Sequence, residues 1–340
     1  MKAAQFVKVG APLELIEIDK PTAAPGYLVF KVNACGICGS DLHNAETGGE
    51  HAQPGTVFGH EYSGEVVEVG AGVDGWKPGD RLIGVPVAPC GTCPACQKQD
   101  FLKCHDPILQ GFDLRMQGAY AEYSTTIAAM AIKLPDGLGD VEAATVEPLA
   151  VGLNAWRMAQ VPDGSSVLIL GAGIIGLSIA KWARFYGATT VGISEIVPAR
   201  IERAVQVGAD VVINAADHAD PVAEYQRQTG QSPSVIFECI GRPIIDKMIE
   251  MAPRDAQLVC VGTGLQKESF TVLSAAFKQL RMAFPIGYEP GDFDFILQMI
   301  AQQRITINPL ISASVGLDEV PKIFELLGKP NDHCKVVITP

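Results

Sequence analysis

Long apolar runs are missing from this chain. The longest nearly apolar stretch, Val167 to Ala180, is too short to span a bilayer and holds three glycines and Ser178. A basic excess is missing too. The 26 Lys and Arg stand against 38 Asp and Glu, for a formal charge of −12. That total lacks the electrostatic footprint of a nucleic-acid binder. Internal repeats and low-complexity tracts are absent. The first ten residues, MKAAQFVKVG, contain no apolar h-region, so a cytoplasmic location is expected, with no membrane partner. What remains is an ordinary globular balance: 340 residues, 48% hydrophobic and 19% charged. At ~150 residues per domain this suggests about two domains.

The acid is unevenly placed. Residues 1–148 carry 10 basic and 19 acidic side chains, 149–288 carry 12 of each, and 289–340 carry 4 and 7. The neutral middle also differs in pattern from its flanks. Residues 1–125 read as short β-rich segments, with period-2 alternation at Leu28, Phe30 and Val32 and turns at Pro25-Gly26, Gly48-Gly49, Pro54-Gly55 and Lys77-Pro78-Gly79-Asp80.

From about residue 141 the pattern switches. A helix is expected over 141–160. Strands at 167–170, 190–193, 211–213, 235–238 and 257–261 then alternate with helices at 174–186, 199–207, 221–229 and 244–251. Such alternation builds right-handed βαβ units and a doubly wound parallel sheet. The tail holds a helix at 293–302, another at 318–327 with Asp318 as its expected N-cap, and a strand at 335–338.

Gly171-Ala172-Gly173-Ile174-Ile175-Gly176 is a GxGxxG that follows the strand Val167–Leu170 and opens a helix, the context that makes it a dinucleotide signal. Gly171 suits the tight turn. Gly173 suits the approach of a pyrophosphate to helix N-terminal N–H groups, with Ile174 and Ile175 alongside. Gly176 suits close helix–strand packing. Glu195 lies about 20 residues further on, where a carboxylate accepts ribose hydroxyls and repels a 2′-phosphate. This points to NAD. Arg200 is within reach of the adenosine end.

Nine cysteines are present, and Cys90, Cys93, Cys96 and Cys104 fall within fifteen residues. Four soft ligands in one loop suit a closed, structural zinc site. A second set is scattered. Cys38 and His60 are possible metal ligands, and Glu61 and Glu147 are carboxylates that could complete an open site.

Together these motifs resemble the zinc-dependent medium-chain dehydrogenases, the alcohol and polyol dehydrogenase family. The resemblance covers essentially the whole chain. It rests on GICGSDLH (36–43), GHEYSGEVVEVG (59–70), the cysteine loop, VEPLAVGLNA (146–155), GAGIIG (171–176) and KVVI (335–338). It implies a Rossmann NAD-binding domain at 149–288, nested within a β-rich GroES-like catalytic domain formed by 1–148 and 289–340.

The resemblance also implies two zincs per chain. The catalytic one would be held by Cys38, His60 and either Glu61 or Glu147. Ser40 and then His43 would relay the proton outward. The substrate implied is a small alcohol or polyol, and the assembly a homotetramer or homodimer. The rivals are an L-threonine-type dehydrogenase of the same family and a zinc- and NAD-binding sensor without turnover. The acidic flanks favour a neutral substrate over an anionic one.

Overall fold

The computed structural model describes residues 1–48, 52–262, 264, 266–289 and 291–340, with Leu102 described by its backbone alone. Gly49 of the expected Gly48-Gly49 turn lies outside these residues. The chain falls into two units. One comprises Met1–Glu147, Glu289–Gln303 and Ile311–Pro340; the other comprises Pro148–Tyr288 and Arg304–Leu310.

The first segment supplies strands β1 (Lys2–Gln5), β2 (Glu14–Glu17), β3 (Tyr27–Gly36), β4 (Glu61–Val69), β5 (Arg81–Gly84), β6 (Val87–Ala88), β7 (Ile108–Leu109), β8 (Tyr123–Ile127) and β9 (Ala131–Lys133). Its helices are short: α1 (Gly39–Thr47), α2 (Pro94–Gln97) and α3 (Asp140–Ala143). Strand β3 is the spine. It pairs antiparallel with β4, and Gly36 at its end faces Glu61 at the start of β4.

The second unit opens on α4 (Val146–Met158), at whose start the two units divide. It then runs β10 (Ser166–Leu170), α5 (Ile174–Phe185), β11 (Thr190–Glu195), α6 (Pro198–Gln206), β12 (Val211–Asn214), α7 (Pro221–Thr229), β13 (Val235–Glu238), α8 (Ile245–Met251), β14 (Gln257–Cys260), α9 (Val272–Phe277) and β15 (Arg281–Ala283). All its strand pairs are parallel, in the order β12-β11-β10-β13-β14-β15. Numbered within the unit this is 3-2-1-4-5-6, the Rossmann order, whose switch point lies beside β10. Every residue of β10 is buried, as expected for a central parallel strand covered on both faces.

The chain then returns with α10 (Asp292–Ala301), β16 (Ile311–Val315), α11 (Val320–Leu327) and β17 (Lys335–Ile338). Strand β17 pairs antiparallel with β3 at Gly36 and Cys35, so the last strand closes the sheet beside the end of β3. The core of this unit gathers Phe6, Phe30, Phe58, Tyr62, Tyr120 and Phe324 with aliphatic side chains.

Several expectations differ from the structure. The helix at 141–160 is two helices, α3 and α4. At the break Thr145 Oγ1 donates to Glu142 O (2.7 Å), a local bond that competes with helix continuation. Asp318 caps nothing. Residues Leu317–Glu319 form a 3₁₀ turn, the Glu319 carboxylate accepts from Gly316 N–H (2.9 Å), and Asp318 pairs with Lys2 instead (3.0 Å). Residues 304–310 go with the second unit rather than the first: Arg304 stands over the Phe185 ring (4.7 Å) and residues 308–310 meet α6. Strands β15 and β16 and helix α9 were not expected. They are short, and β16 (ISASV) has no buried residue to mark a face.

Candidate metal centre and nucleotide loop

The end of β3, the start of α1 and the start of β4 bring Cys38 to His60 and Glu61, which lie 22 and 23 positions further along the chain. Cys38 precedes α1, His60 precedes β4, and Glu61 opens β4. One donor atom from each of Cys38, His60 and Glu61 lies within 4.8 Å of the others. Glu61 is wholly buried and His60 nearly so. A Cβ at Gly36 would collide with the Glu61 carboxylate, so glycine leaves the room that this carboxylate occupies.

The donor set asks for a cation. Burial opposes charge on His60, yet Asp41 and the Cys38 sulfur outweigh it and raise the imidazole well above its ordinary range. A thiol, an imidazole and a carboxylate converging without a closed fourth position fit an open zinc site. Glu147 belongs to the same electrostatic neighbourhood. Burial raises its carboxyl to about 7, with Glu61 and Asp41 adding to the shift and His60 and Lys335 opposing it. It is not among the close donor group, which contains Glu61.

The supporting groups include three that sequence reasoning missed. Asp41, wholly buried on α1, has Oδ1 at 3.3 Å from His60 Nδ1. Tyr120, also wholly buried, donates its hydroxyl to Asp41 Oδ2 (2.6 Å). Lys335, on β17 and 1% exposed, donates to both oxygens of Glu61 (2.7 and 2.6 Å) and to Ile37 O (2.8 Å). Asp41 was within sight, since it falls one helical turn after Cys38 in the same motif. A lysine opening the otherwise apolar KVVI strand was the signal for Lys335.

Ser40 Oγ donates to Cys38 Sγ at 3.1 Å. His43, on the next turn of α1, has a buried Nε2 with no hydrogen-bond partner. Phe112 tilts against the His60 ring with centroids 5.2 Å apart.

In the cysteine loop, Cys93 and Cys96 sulfurs are 3.5 Å apart, Cys90 and Cys96 3.9 Å, and Cys93 and Cys104 4.0 Å. These distances are too long for a disulfide. A tetrahedron with zinc–sulfur bonds of about 2.3 Å has edges of roughly 3.8 Å, so the four sulfurs fit that ion. Backbone hydrogen bonds from Thr92 and Cys93 lower the Cys90 thiol to about 6, while burial and the Cys93 thiol push Cys96 up to about 12.

In the second unit, Gly171 has φ +100° and a Cβ on Gly176 would strike Gly171 O, so the first glycine makes the turn and the third the close packing. Gly173 is the N-cap residue of α5, with open space where a Cβ would stand, and Ile174 and Ile175 begin the helix. The Glu195 carboxylate accepts from Ala172 N (2.9 Å), Ile196 N (2.6 Å) and Val197 N (3.0 Å). It therefore ties the glycine loop to the segment entering α6, a role that the sequence did not suggest. Arg200 lies in the first turn of α6. On the far side of β10, Glu238 mirrors this arrangement: its carboxylate accepts from Ile240 N (2.6 Å), Gly241 N (2.7 Å) and Gly262 N (3.2 Å).

Comparisons with known proteins find two family models. A model of the alcohol dehydrogenase GroES-like domain matches residues 24–136, and a model of zinc-binding dehydrogenases matches residues 175–302. YdjJ of Escherichia coli K12, described only as an uncharacterized zinc-type alcohol dehydrogenase-like protein, is 34% identical over 326 residues, covering 94% of this chain and 93% of its own. Galactitol 1-phosphate 5-dehydrogenase of the same organism is 32% identical over 321 residues, covering 91% of each. A zinc-binding dehydrogenase from Sinorhizobium meliloti 1021, solved bound to NADP, superposes with a TM-score of 0.89 at 29% identity, covering 100% of this chain and 99% of its own. On its motifs, its fold and these matches, the chain belongs to the zinc-dependent medium-chain alcohol and polyol dehydrogenase family.

Proposed function

We propose that this chain is an NAD-dependent zinc dehydrogenase that interconverts a primary or secondary alcohol, or a polyol, with the aldehyde or ketone. The observation that carries the reading is the convergence of Cys38, His60 and Glu61 within 4.8 Å, with the Ser40 hydroxyl 3.1 Å from Cys38 Sγ. Cys38, His60 and Glu61 would hold the catalytic zinc, with Glu147 the alternative carboxylate. Cys90, Cys93, Cys96 and Cys104 would hold a second, structural zinc. When bound, a divalent cation at the first site would supply Lewis acidity toward an alcohol oxygen, and the nicotinamide cofactor would supply the hydride acceptor.

The chain's own residues manage the proton and the cofactor. Ser40 Oγ both donates and accepts, so it can take the alcohol proton and pass it on. His43 Nε2, which has no protein partner, would carry it toward solvent. Gly171, Gly173, Ile174, Ile175 and Gly176 would receive the pyrophosphate at the N-terminus of α5. Glu195 Oε2 accepts one backbone N–H and keeps capacity for a ribose hydroxyl. Its charge would repel the extra phosphate of NADP, and Arg200 would stand at the adenosine end. The NADP in the Sinorhizobium neighbour makes this preference worth measuring directly.

The gathering of Cys90, Cys93, Cys96 and Cys104 in one metal-suited loop supports a reducing compartment such as the cytoplasm. No helix among the described residues is long and apolar enough to cross a membrane. The exposed Val272, Leu273, Phe277, Phe284 and Ile286 flank β15, an edge strand, in sequence and support a homo-oligomer, dimer or tetramer, built on that edge. Mass measurement in solution tests the assembly, and a monomer at micromolar concentration removes it.

The test of function is NADH absorbance with a panel of primary and secondary alcohols, diols, sugar alcohols, L-threonine and phosphorylated polyols, beside zinc per chain. The expected result is two zincs per chain, NADH formation, slower reduction of NADP, and preference for neutral alcohols at low salt. Two zincs with no turnover on this panel would sink the enzyme reading. Preference for a phosphorylated polyol, the kind of substrate named for the galactitol relative, would overturn the inference drawn from the acidic flanks.

Ser40→Ala should lower alcohol oxidation by about 10²-fold, the lower end of what a positioned proton acceptor contributes. Zinc content should not change. Unaltered turnover in that variant removes Ser40 from the relay.

A further inference from the structure

Tyr120 is an oddity of burial. Its phenol is 0% exposed, inside the aromatic core of the first unit and edge-on to Phe324 at 6.3 Å. Its position is over-determined by backbone bonds: Tyr120 N donates to Phe58 O (2.9 Å) and Ala119 N to Gly59 O (2.8 Å), which lock this segment to the residues just before His60. A phenylalanine would satisfy that packing. The hydroxyl instead reaches Asp41 Oδ2 at 2.6 Å, a short bond to a carboxylate that is itself 0% exposed.

Asp41 is a junction. Oδ2 accepts from the Tyr120 hydroxyl and from Cys38 N (3.1 Å), while Oδ1 and His60 Nδ1, two buried atoms without another hydrogen-bond partner, lie 3.3 Å apart, within reach of a bond once Nδ1 carries the proton. With both strong donors on Oδ2, the carboxylate is held in the rotation that turns Oδ1 to the imidazole. A carboxylate there keeps the proton on Nδ1 and leaves the Nε2 lone pair for a metal. Burial and the Asp41 charge push the Tyr120 phenol well above its ordinary value, so it stays a donor.

We propose that the Tyr120 hydroxyl is a positioning group for the metal centre, acting through Asp41 to fix the orientation and tautomer of His60. This rests on the reading of Cys38 and His60 as metal ligands. Loss of one outer-shell partner of a ligating histidine costs about 10–100-fold in metal affinity or activity. A hydroxyl one link further out acts by the same route.

The experiment uses the full chain with cobalt(II) in place of zinc. Tyr120→Phe keeps the ring and its packing. The expected result is an affinity of the Cys38–His60 site for cobalt lowered about 10-fold, the lower end of that range, with its visible bands shifted. The cysteine-loop metal should be retained as in wild type. Asp41→Asn should move the same bands at least as far.

A wild-type protein that binds both metals, with Tyr120→Phe matching it in affinity and spectrum, overturns the proposal. So does a variant whose melting temperature falls while its cobalt bands stay put, since that marks a merely structural role. If Tyr120→Phe does not fold, 3-fluorotyrosine at position 120, a stronger donor of the same shape, should shift the bands in the direction opposite to that of Asp41→Asn. Unmoved bands then overturn the proposal. The underlying reading fails separately, if Cys38→Ser keeps both metals.

Discussion

Lys335→Met should destabilise the first unit by about 3–5 kcal/mol, the usual cost of leaving one member of a buried ion pair alone. For a unit of this size that lowers the unfolding midpoint by roughly 6–20 °C. The reason lies in the accounting of hydrogens. All three ammonium hydrogens of Lys335 are spoken for, two by Glu61 and one by Ile37 O, and neither charged group reaches water. Methionine fills the space and leaves the Glu61 charge uncompensated. Lys335→Met with Glu61→Gln removes both charges and should recover most of the loss, because the pair as a whole contributes little net stability.

The pH dependence has a definite sign. Burial pulls the Lys335 ammonium down, but Glu61 and Cys38 outweigh it and raise it above its ordinary 10.5. A raised folded value means the stabilisation is complete below about pH 10.5 and is lost as the pH rises through the higher folded value. Thermal melts from pH 9 to 12 check this. A single variant as stable as wild type, or a double variant no better than the single, would mean that the pair does not carry this energy.

Cys38→Ser should remove one zinc per chain and lower turnover by about 10³-fold or more. A Lewis acid contributes several kcal/mol to the stabilisation of developing charge, and each 1.36 kcal/mol is tenfold in rate. Serine is a hard, weakly acidic replacement for a soft thiolate, so it does not rebuild the site. The cysteine loop is untouched by the change, and its zinc should stay. NADH binding should stay too, since the glycine loop and Glu195 belong to the other unit. Metal analysis, a fluorescence titration with NADH and a turnover assay separate these three outcomes. Full metal and full activity in this variant would overturn the ligand assignment.

The two predictions draw on information of different legibility. The glycine loop could be read from sequence because its work is local: a strand, a turn at Gly171 and the start of α5 lie within a dozen residues. The cysteine loop was legible for the same reason. The sheet of the second unit was legible except at its margin, where β15 has three residues and no periodicity to detect. Lys335 and Tyr120 were not legible as site residues. Lys335 is separated from Glu61 by 274 positions and Tyr120 from Asp41 by 79. A lysine in a strand reads as a solvated side chain until the strand beside it is known. Glu195 shows the subtler limit. Its spacing pointed to a ribose, and the structure adds three backbone donors, two from its own neighbours and one from Ala172 in the glycine loop. Asp318 shows the reverse error, since a good capping residue is taken up by Lys2, 316 positions away in sequence.

The ion pair between β4 and β17 also has a consequence in time. A ribosome adding 5–20 residues per second reaches position 335 roughly 14–55 s after it has placed Glu61. During that interval the nascent chain holds an acid whose buried partner lysine does not yet exist. The first unit therefore cannot bury this acid in its native pair until the closing strand emerges, whereas the second unit's six-stranded sheet ends at Ala283 and is available to fold before then. Chains cut short ahead of β17 keep Glu61 in water and the end of β3 unclosed, so incomplete synthesis leaves an open sheet edge for proteases to find.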